Sequence, residues 1–270
     1  MKIKAILFLI LIAATAVTCN KNGEVEFTDF PIVESYLVPG QFLKVKVSRQ
    51  LPFDENAEYS PDDIDSLSIT VTSGSYSSVL SPIGNGEYID SSLVVYENIH
   101  YEITFDYNGK NVYAYTIVPS KPINFSQSAT TIEIQKMDTT SGPPIGFEMP
   151  DPVQLTWDNY DGSYYIVIVE NIESSPEPVQ DLGEDDDRPD FVFRKEPNNS
   201  SGTEISSMDF QYYGTHRLIL FHVLSDYAAL YDDNSSNSQN LSNPSTCIEN
   251  GYGIFTGLNA DTLYIEVVEP

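Results

Sequence analysis

Alternation of apolar and polar residues with a period of two governs this chain. Leu43, Val45 and Val47 alternate with Lys44, Lys46 and Ser48. Leu67, Ile69 and Val71 alternate with Ser68, Thr70 and Thr72. Tyr101, Ile103, Phe105 and Tyr107 alternate with Glu102, Thr104 and Asp106. Successive side chains of a strand point to opposite faces, so each run predicts a strand with one face buried. Asn108-Gly109 separates two such runs, and both residues accept the positive φ that a tight hairpin turn demands. The return strand is Val112 to Val118, ended by Pro119. Residues 25–120 therefore predict a small β-sandwich.

Lys121-Pro122 opens a second region, with a strand expected over Gln127 to Gln135. Ser141 to Pro152, rich in glycine and proline, predicts a loop. Val153, Leu155 and Trp157 then precede a turn over Asp158 to Gly162 and a β-branched run from Tyr164 to Glu170. A strand with an inward tryptophan, a turn and a second strand resembles the start of a fibronectin type III or immunoglobulin-like sandwich. Further strands are expected over Phe191 to Arg194, Ser206 to Tyr213, His216 to Leu224, Gly253 to Gly257 and Leu263 to Val268. Ser225 to Tyr231 predicts the one short helix, with Ser225 as its cap. The fold class is all-β: two sandwich-like domains, residues 25–120 and 121–270, with a fibronectin-like second half.

The N-terminus points to export. Lys2 and Lys4 precede an apolar run from Ala5 to Ala14, which has the organisation of a signal peptide over residues 1–18 and is too short to span a bilayer permanently. Ala16-Val17-Thr18-Cys19 resembles a bacterial lipobox, departing from the usual small residue only at Thr18. Cys19 is thus the candidate lipidation site, at the head of a linker over residues 19–24. Each buried lipid methylene contributes about 0.8 kcal/mol, so a multiply acylated cysteine is an effectively permanent anchor. Cys247 is then left without a partner and is expected to be a buried apolar side chain, which excludes a disulfide framework.

Charge bounds the partners. The chain carries 13 Lys+Arg against 40 Asp+Glu, a formal charge of −27 that becomes −29 once Lys2 and Lys4 leave with the signal. Such a surface repels nucleic acid and anionic headgroups and favours cationic partners. Glu184, Asp185, Asp186 and Asp187 form the densest acidic run. Their oxygens suit Ca²⁺, but the spacing is not that of an EF-hand loop, and a solvated acidic loop is the favoured reading.

No catalytic motif is present: no nucleophile elbow, no zinc-protease helix, no Walker loop. The glycines of Gly251-Tyr252-Gly253-Ile254-Phe255-Thr256-Gly257 are expected to permit a close approach to a closing strand rather than to hold a dinucleotide. His216 and His222 would share one strand face about 20 Å apart, too far for one ion, and no metal or other cofactor is expected. One member of each pair Tyr164-Tyr165 and Tyr212-Tyr213 should be buried. Asp65-Ser66-Leu67 and Asp261-Thr262-Leu263 resemble O-glycosylation signals.

Several stretches together resemble a lipoprotein family of Bacteroidetes classed as a domain of unknown function. They are Pro31-Ile32-Val33-Glu34-Ser35-Tyr36-Leu37, Lys44 to Phe53, Gly86-Glu87-Tyr88, the Asn108-Gly109 hairpin and, most specifically, Asn243 to Gly257. The resemblance implies an outer-membrane lipoprotein, facing the periplasm or the cell surface, often encoded beside a TonB-dependent transporter. It also implies an N-terminal sandwich similar to carboxypeptidase regulatory-like domains, and it transfers no catalytic residue. The functional expectation is a non-enzymatic accessory or binding protein of such a transporter. The alternatives are a stand-alone glycan- or peptide-binding module and a hydrolase with an unrecognised site.

Overall fold

The structure, a computed structural model, describes residues 28–51, 64–138, 149–181, 188–233 and 246–270. It is all-β, with one α-helix of nine residues among those described. In the N-terminal half, β1 (Pro31–Leu37), β2 (Phe42–Arg49), β5 (Ser81–Gly84) and β6 (Glu87–Val94) lie in one sheet. Facing it is a second sheet in the order β4 (Tyr76–Val79), β3 (Thr70–Ser73), β7 (His100–Tyr107), β8 (Lys110–Ile117). The alternation does what it predicts. Leu43, Val45 and Val47 of β2 meet Tyr101, Ile103 and Phe105 of β7 in one buried cluster, while Lys44, Lys46 and Glu102 stay exposed. Leu67 and Ile69 lie ahead of β3, whose first residue is Thr70.

Asn108 and Gly109 turn the β7–β8 hairpin at φ values of 49° and 74°, and all residues from His100 to Tyr107 are paired across it. Tyr88, fully buried, ties the loop before β3 to β6: its hydroxyl donates to the Ile64 carbonyl and accepts the Leu67 N–H. Asp90 joins the two sheets. Its carboxylate accepts from Tyr76, Ser78 and the N–H groups of Ser92 and Leu93, and these hydrogen bonds hold its pKa below the usual carboxylate value against the opposing effect of burial.

The second half packs a three-stranded sheet, β16 (Gly202–Ile205), β12 (Val153–Asp158) and β9 (Ile123–Gln127), on β13 (Tyr164–Asn171), β17 (Gly214–Val223) and β18 (Tyr252–Val268). Trp157, Leu155, Val167, Leu218, Leu220 and Ile265 fill this core. β15 (Val192–Arg194) forms the outer edge beside β13, and β11 (Met137–Asp138) pairs parallel with β14 (Gln180–Asp181) in a small separate sheet.

Four expectations are corrected here. The run from Gln127 to Gln135 is not one strand. β9 ends at Gln127 and pairs β12, whereas β10 (Thr131–Glu133) pairs β18, so the chain changes sheets between them. Ser206 to Tyr213 holds a 3-10 turn (Ser207–Asp209) instead of a strand, because Ser206 and Asp209 cap each other's backbone N–H groups. The helix, α1 (Ser225–Asp233), begins one residue earlier than its proposed cap implies: the Leu224 carbonyl accepts the Ala228 N–H, and Ser225 lies in the first turn. The two closing strands are one strand of 17 residues, β18.

That strand serves both halves. Residues 252–257 run parallel to β1, and residues 258–267 run antiparallel to β17. Phe255 and Ile248 belong to the first core, Ile265 and Val267 to the second. The glycines permit the approach expected of them. A Cβ on Gly253 would sit 2.0 Å from the Val33 carbonyl oxygen, and one on Gly257 would sit 2.5 Å from that of Ile117.

The connector between the halves is fixed by hydrogen bonds. Asn259 donates to the Pro119 carbonyl at 3.0 Å and to Glu97 at 2.9 Å. The same Glu97 carboxylate accepts the Lys121 N–H, and His222 Nδ1 lies 2.9 Å from the Ser120 carbonyl. Lys121 pairs with Asp261 at 2.9 Å.

Candidate functional site

Because Leu43, Val45 and Val47 face the core, β2 presents Phe42, Lys44 and Lys46 outward in a single column. On one side β1 presents Glu34 and Tyr36; on the other β6 presents Glu87 and β5 presents Ile83. The register sets Lys46 opposite Glu34 and Glu87, and Lys44 opposite Ile89. These side chains line an open groove of about 340 Å³, within the size range of sites for small ligands. Tyr36, Phe42 and Ile83 are 48%, 47% and 55% exposed, so three apolar side chains meet water around the two lysines.

The helix flanks the groove at Tyr36. Tyr36 packs edge-on to Tyr227 of α1 at 6.0 Å, and Tyr227 packs on Tyr231. Burial raises the Tyr36 hydroxyl pKa, with Glu34 and Tyr231 adding to it, and pushes that of Tyr227 up to about 12. Both phenols therefore remain hydrogen-bond donors at neutral pH. Thr256 of β18 donates to Asp226 at 3.0 Å, which fastens the helix to the sheet beside Tyr36.

Lys121, Lys136, Lys195, Arg49 and Arg217 each pair with a carboxylate, and Lys110 lies 4.7 Å above the Phe30 ring. Lys44 and Lys46, like Arg188 and Arg194, make no ion pair with any described residue.

Cys19 and the acidic run Glu184, Asp185, Asp186 and Asp187 lie outside the described residues. Among the described residues, no group of three or more His, Cys, Asp or Glu is placed to hold a metal ion, and no helix is long and apolar enough to cross a membrane. His216 and His222 do share the inward face of β17 with Leu218 and Leu220. His222 stacks on Tyr165, with ring centroids 4.8 Å apart. Tyr165 and Tyr212 are buried and Tyr164 and Tyr213 only partly so. Cys247 is partly buried against the first core, where its sulfur accepts the Phe255 N–H, and burial raises its thiol pKa. Ser66 is exposed in a turn, whereas Thr262 lies within β18 opposite Ile219.

His216 yields a pH prediction. It is 2% exposed, with Nδ1 3.0 Å from the Gly214 carbonyl and Nε2 3.2 Å from the Asn171 amide. Burial lowers its pKa below 6.5, outweighing the Gly214 carbonyl and the carboxylates of Glu266 and Glu173. The unfolded chain thus binds the proton more readily, so the stability contributed by the neutral ring is present above about pH 6.5 and is lost as pH falls below it. Urea midpoints should drop between pH 7 and pH 5, and His216→Gln should flatten that slope. Equal slopes in parent and variant would refute the assignment.

No protein-family model matches the chain, and no curated protein is similar to it. The groove was not singled out by sequence reasoning. Its available signal was Phe42-x-Lys44-x-Lys46, two of 13 cationic residues set in one outward column beside an aromatic.

Proposed function

We propose that this protein is a non-enzymatic lipoprotein of the outer membrane, facing the periplasm or the cell surface, and an accessory or binding partner of a TonB-dependent transporter. The signal-like N-terminus ending in Cys19 and the family resemblance support the anchor and the transporter association. The observation that carries a binding role is the groove, where Tyr36, Phe42 and Ile83 stand half-exposed around two lysines without a described ion partner. A groove that combines apolar side chains with a few charged groups is the usual setting of a binding site.

We read the two packed halves, divided near residue 120, as a carboxypeptidase regulatory-like or immunoglobulin-like sandwich followed by a fibronectin type III-like one. Support comes from the two separate cores, and from Trp157 pointing inward on the strand before the Asp158 to Gly162 turn.

The test is a detergent pull-down of the tagged native protein from its own outer membrane, followed by mass spectrometry. A transporter in stoichiometric amount is expected, and its yield should fall for Phe42→Asp. Recovery of the lipoprotein by itself would overturn the transporter reading and leave the groove to a stand-alone peptide- or glycan-binding module.

A further inference from the structure

We propose that the groove on β1, β2, β5 and β6 docks an extended acidic segment of a partner protein, with the pattern apolar-x-acidic-x-acidic. The proposal rests on the reading of this face as the contact surface, and it names the chemistry of what is bound. Phe42, Lys44 and Lys46 project from the same face of one strand, so neighbouring members are about 6.7 Å apart. An extended peptide presents its alternate side chains at the same repeat. An apolar residue can therefore lie on Phe42 while two carboxylates further along meet Lys44 and Lys46. Tyr36 on one side and Ile83 on the other form apolar walls.

Charge complementarity selects the occupant. On a chain with 40 acidic and 13 cationic residues, these two lysines, like Arg188 and Arg194 elsewhere, are left without a described carboxylate partner within ion-pair distance, and the two lysines stand together in one groove beside exposed apolar side chains. The two positions are unequal. Lys46 lies between Glu34 and Glu87 in register, and their carboxylates offset part of its field. Lys44 is opposite Ile89, and the lining around it includes Tyr36, Phe42 and Ile83. The acidic residue that meets Lys44 is the dominant one. Repulsion from the rest of the chain acts over a Debye length of about 8 Å at physiological salt, so it is screened while the groove contacts persist.

The probe is a dye-labelled, end-capped peptide of the sequence Thr-Phe-Thr-Asp-Thr-Asp-Thr, titrated by fluorescence anisotropy with the full chain in detergent at physiological salt. The parent is expected to bind this peptide and to bind a version with both aspartates replaced by lysine at least tenfold more weakly. Lys44→Glu should weaken binding about tenfold and Lys46→Glu less, as fits an exposed ion pair turned into a repulsion. The peptide carrying lysine at its first acidic position should recover binding to Lys44→Glu, which loss of fold would not allow. Both lysines are exposed, and unchanged thermal melts check that the variants fold; Lys44→Gln gives a milder second test. Equal affinity for the acidic and basic peptides, no binding to the parent, or indifference to Lys44→Glu would each overturn the proposal. The titration needs no transporter. A positive titration with an empty pull-down discards the transporter reading and keeps this one. A transporter that co-purifies undiminished with Lys44→Glu does the reverse.

Discussion

Gly253→Ala is expected to destabilise the protein by about 4 kcal/mol, among the larger effects of a single substitution. Two causes add. Gly253 has φ +101°, a conformation that an L side chain rarely adopts. The new Cβ would also fall 2.0 Å from the Val33 carbonyl oxygen, which is backbone and has no rotamer by which to escape. Relief requires β18 to move away from β1, and six in-register pairs from Ile32 to Leu37 depend on that contact. Gly109→Ala is the control. It has φ +74° with open space around it, so only the conformational cost of about 1–2 kcal/mol remains. Equilibrium urea unfolding of the three proteins decides the matter: a Gly253→Ala loss no larger than that of Gly109→Ala would show that the sheet absorbs the methyl group.

Leu155→Ala should cost about 3 kcal/mol and, more tellingly, should lower the stability of both halves together. Leu155 is 1% exposed in the second core, and truncating a buried leucine removes its transfer free energy and leaves a cavity. The halves are not independent, because residues 252–267 form ladders with β1 and with β17 in one continuous strand. The connector adds the bonds from Asn259 to Pro119 and Glu97. Trp157 is the single tryptophan and lies in the second core, so its fluorescence reports that half. Amide exchange in β7 and β8 reports the other. Coincident midpoints, both shifted by the substitution, are the expected result. Protection of β7 and β8 that outlasts the Trp157 signal would mean that the first half stands without the second.

The strands of the first half were legible because their information is local. Leu43 to Val47 and Tyr101 to Tyr107 alternate strictly, and Asn108-Gly109 fixes the turn between β7 and β8 from two residues. What the sequence hid depends on partners distant along the chain. Asn259 and Asp261 read as an interruption between two short strands, the first ending at Gly257. In the structure Gly257 is where β18 passes against Ile117 and Val118, and Asn259 and Asp261 bind the connector. The 3-10 turn at Ser207 escaped notice because the tyrosines at 212 and 213 suggested a strand, while the Ser206–Asp209 cap acts through only two side chains. Alternation also says that Phe42 and Val45 lie on opposite faces but not that Phe42 is the one in water. That assignment follows from the seven buried residues of β1 and β2 and the sheet they meet. The groove was therefore visible as a column of residue types and invisible as a surface.

The parallel pairing of β1 with β18 also sets an order of events. Ile32 and Tyr252 are neighbours in space and more than two hundred positions apart in sequence. A chain made from its amino end exposes the outer edge of β1 from the moment it appears until Gly257 has followed. Closing so large a loop is slow, and an unpaired strand edge is open to other chains for as long as the wait lasts. The first half to be synthesised thus waits for the last strand of the chain, and whatever escorts the emerging polypeptide has that one edge to guard.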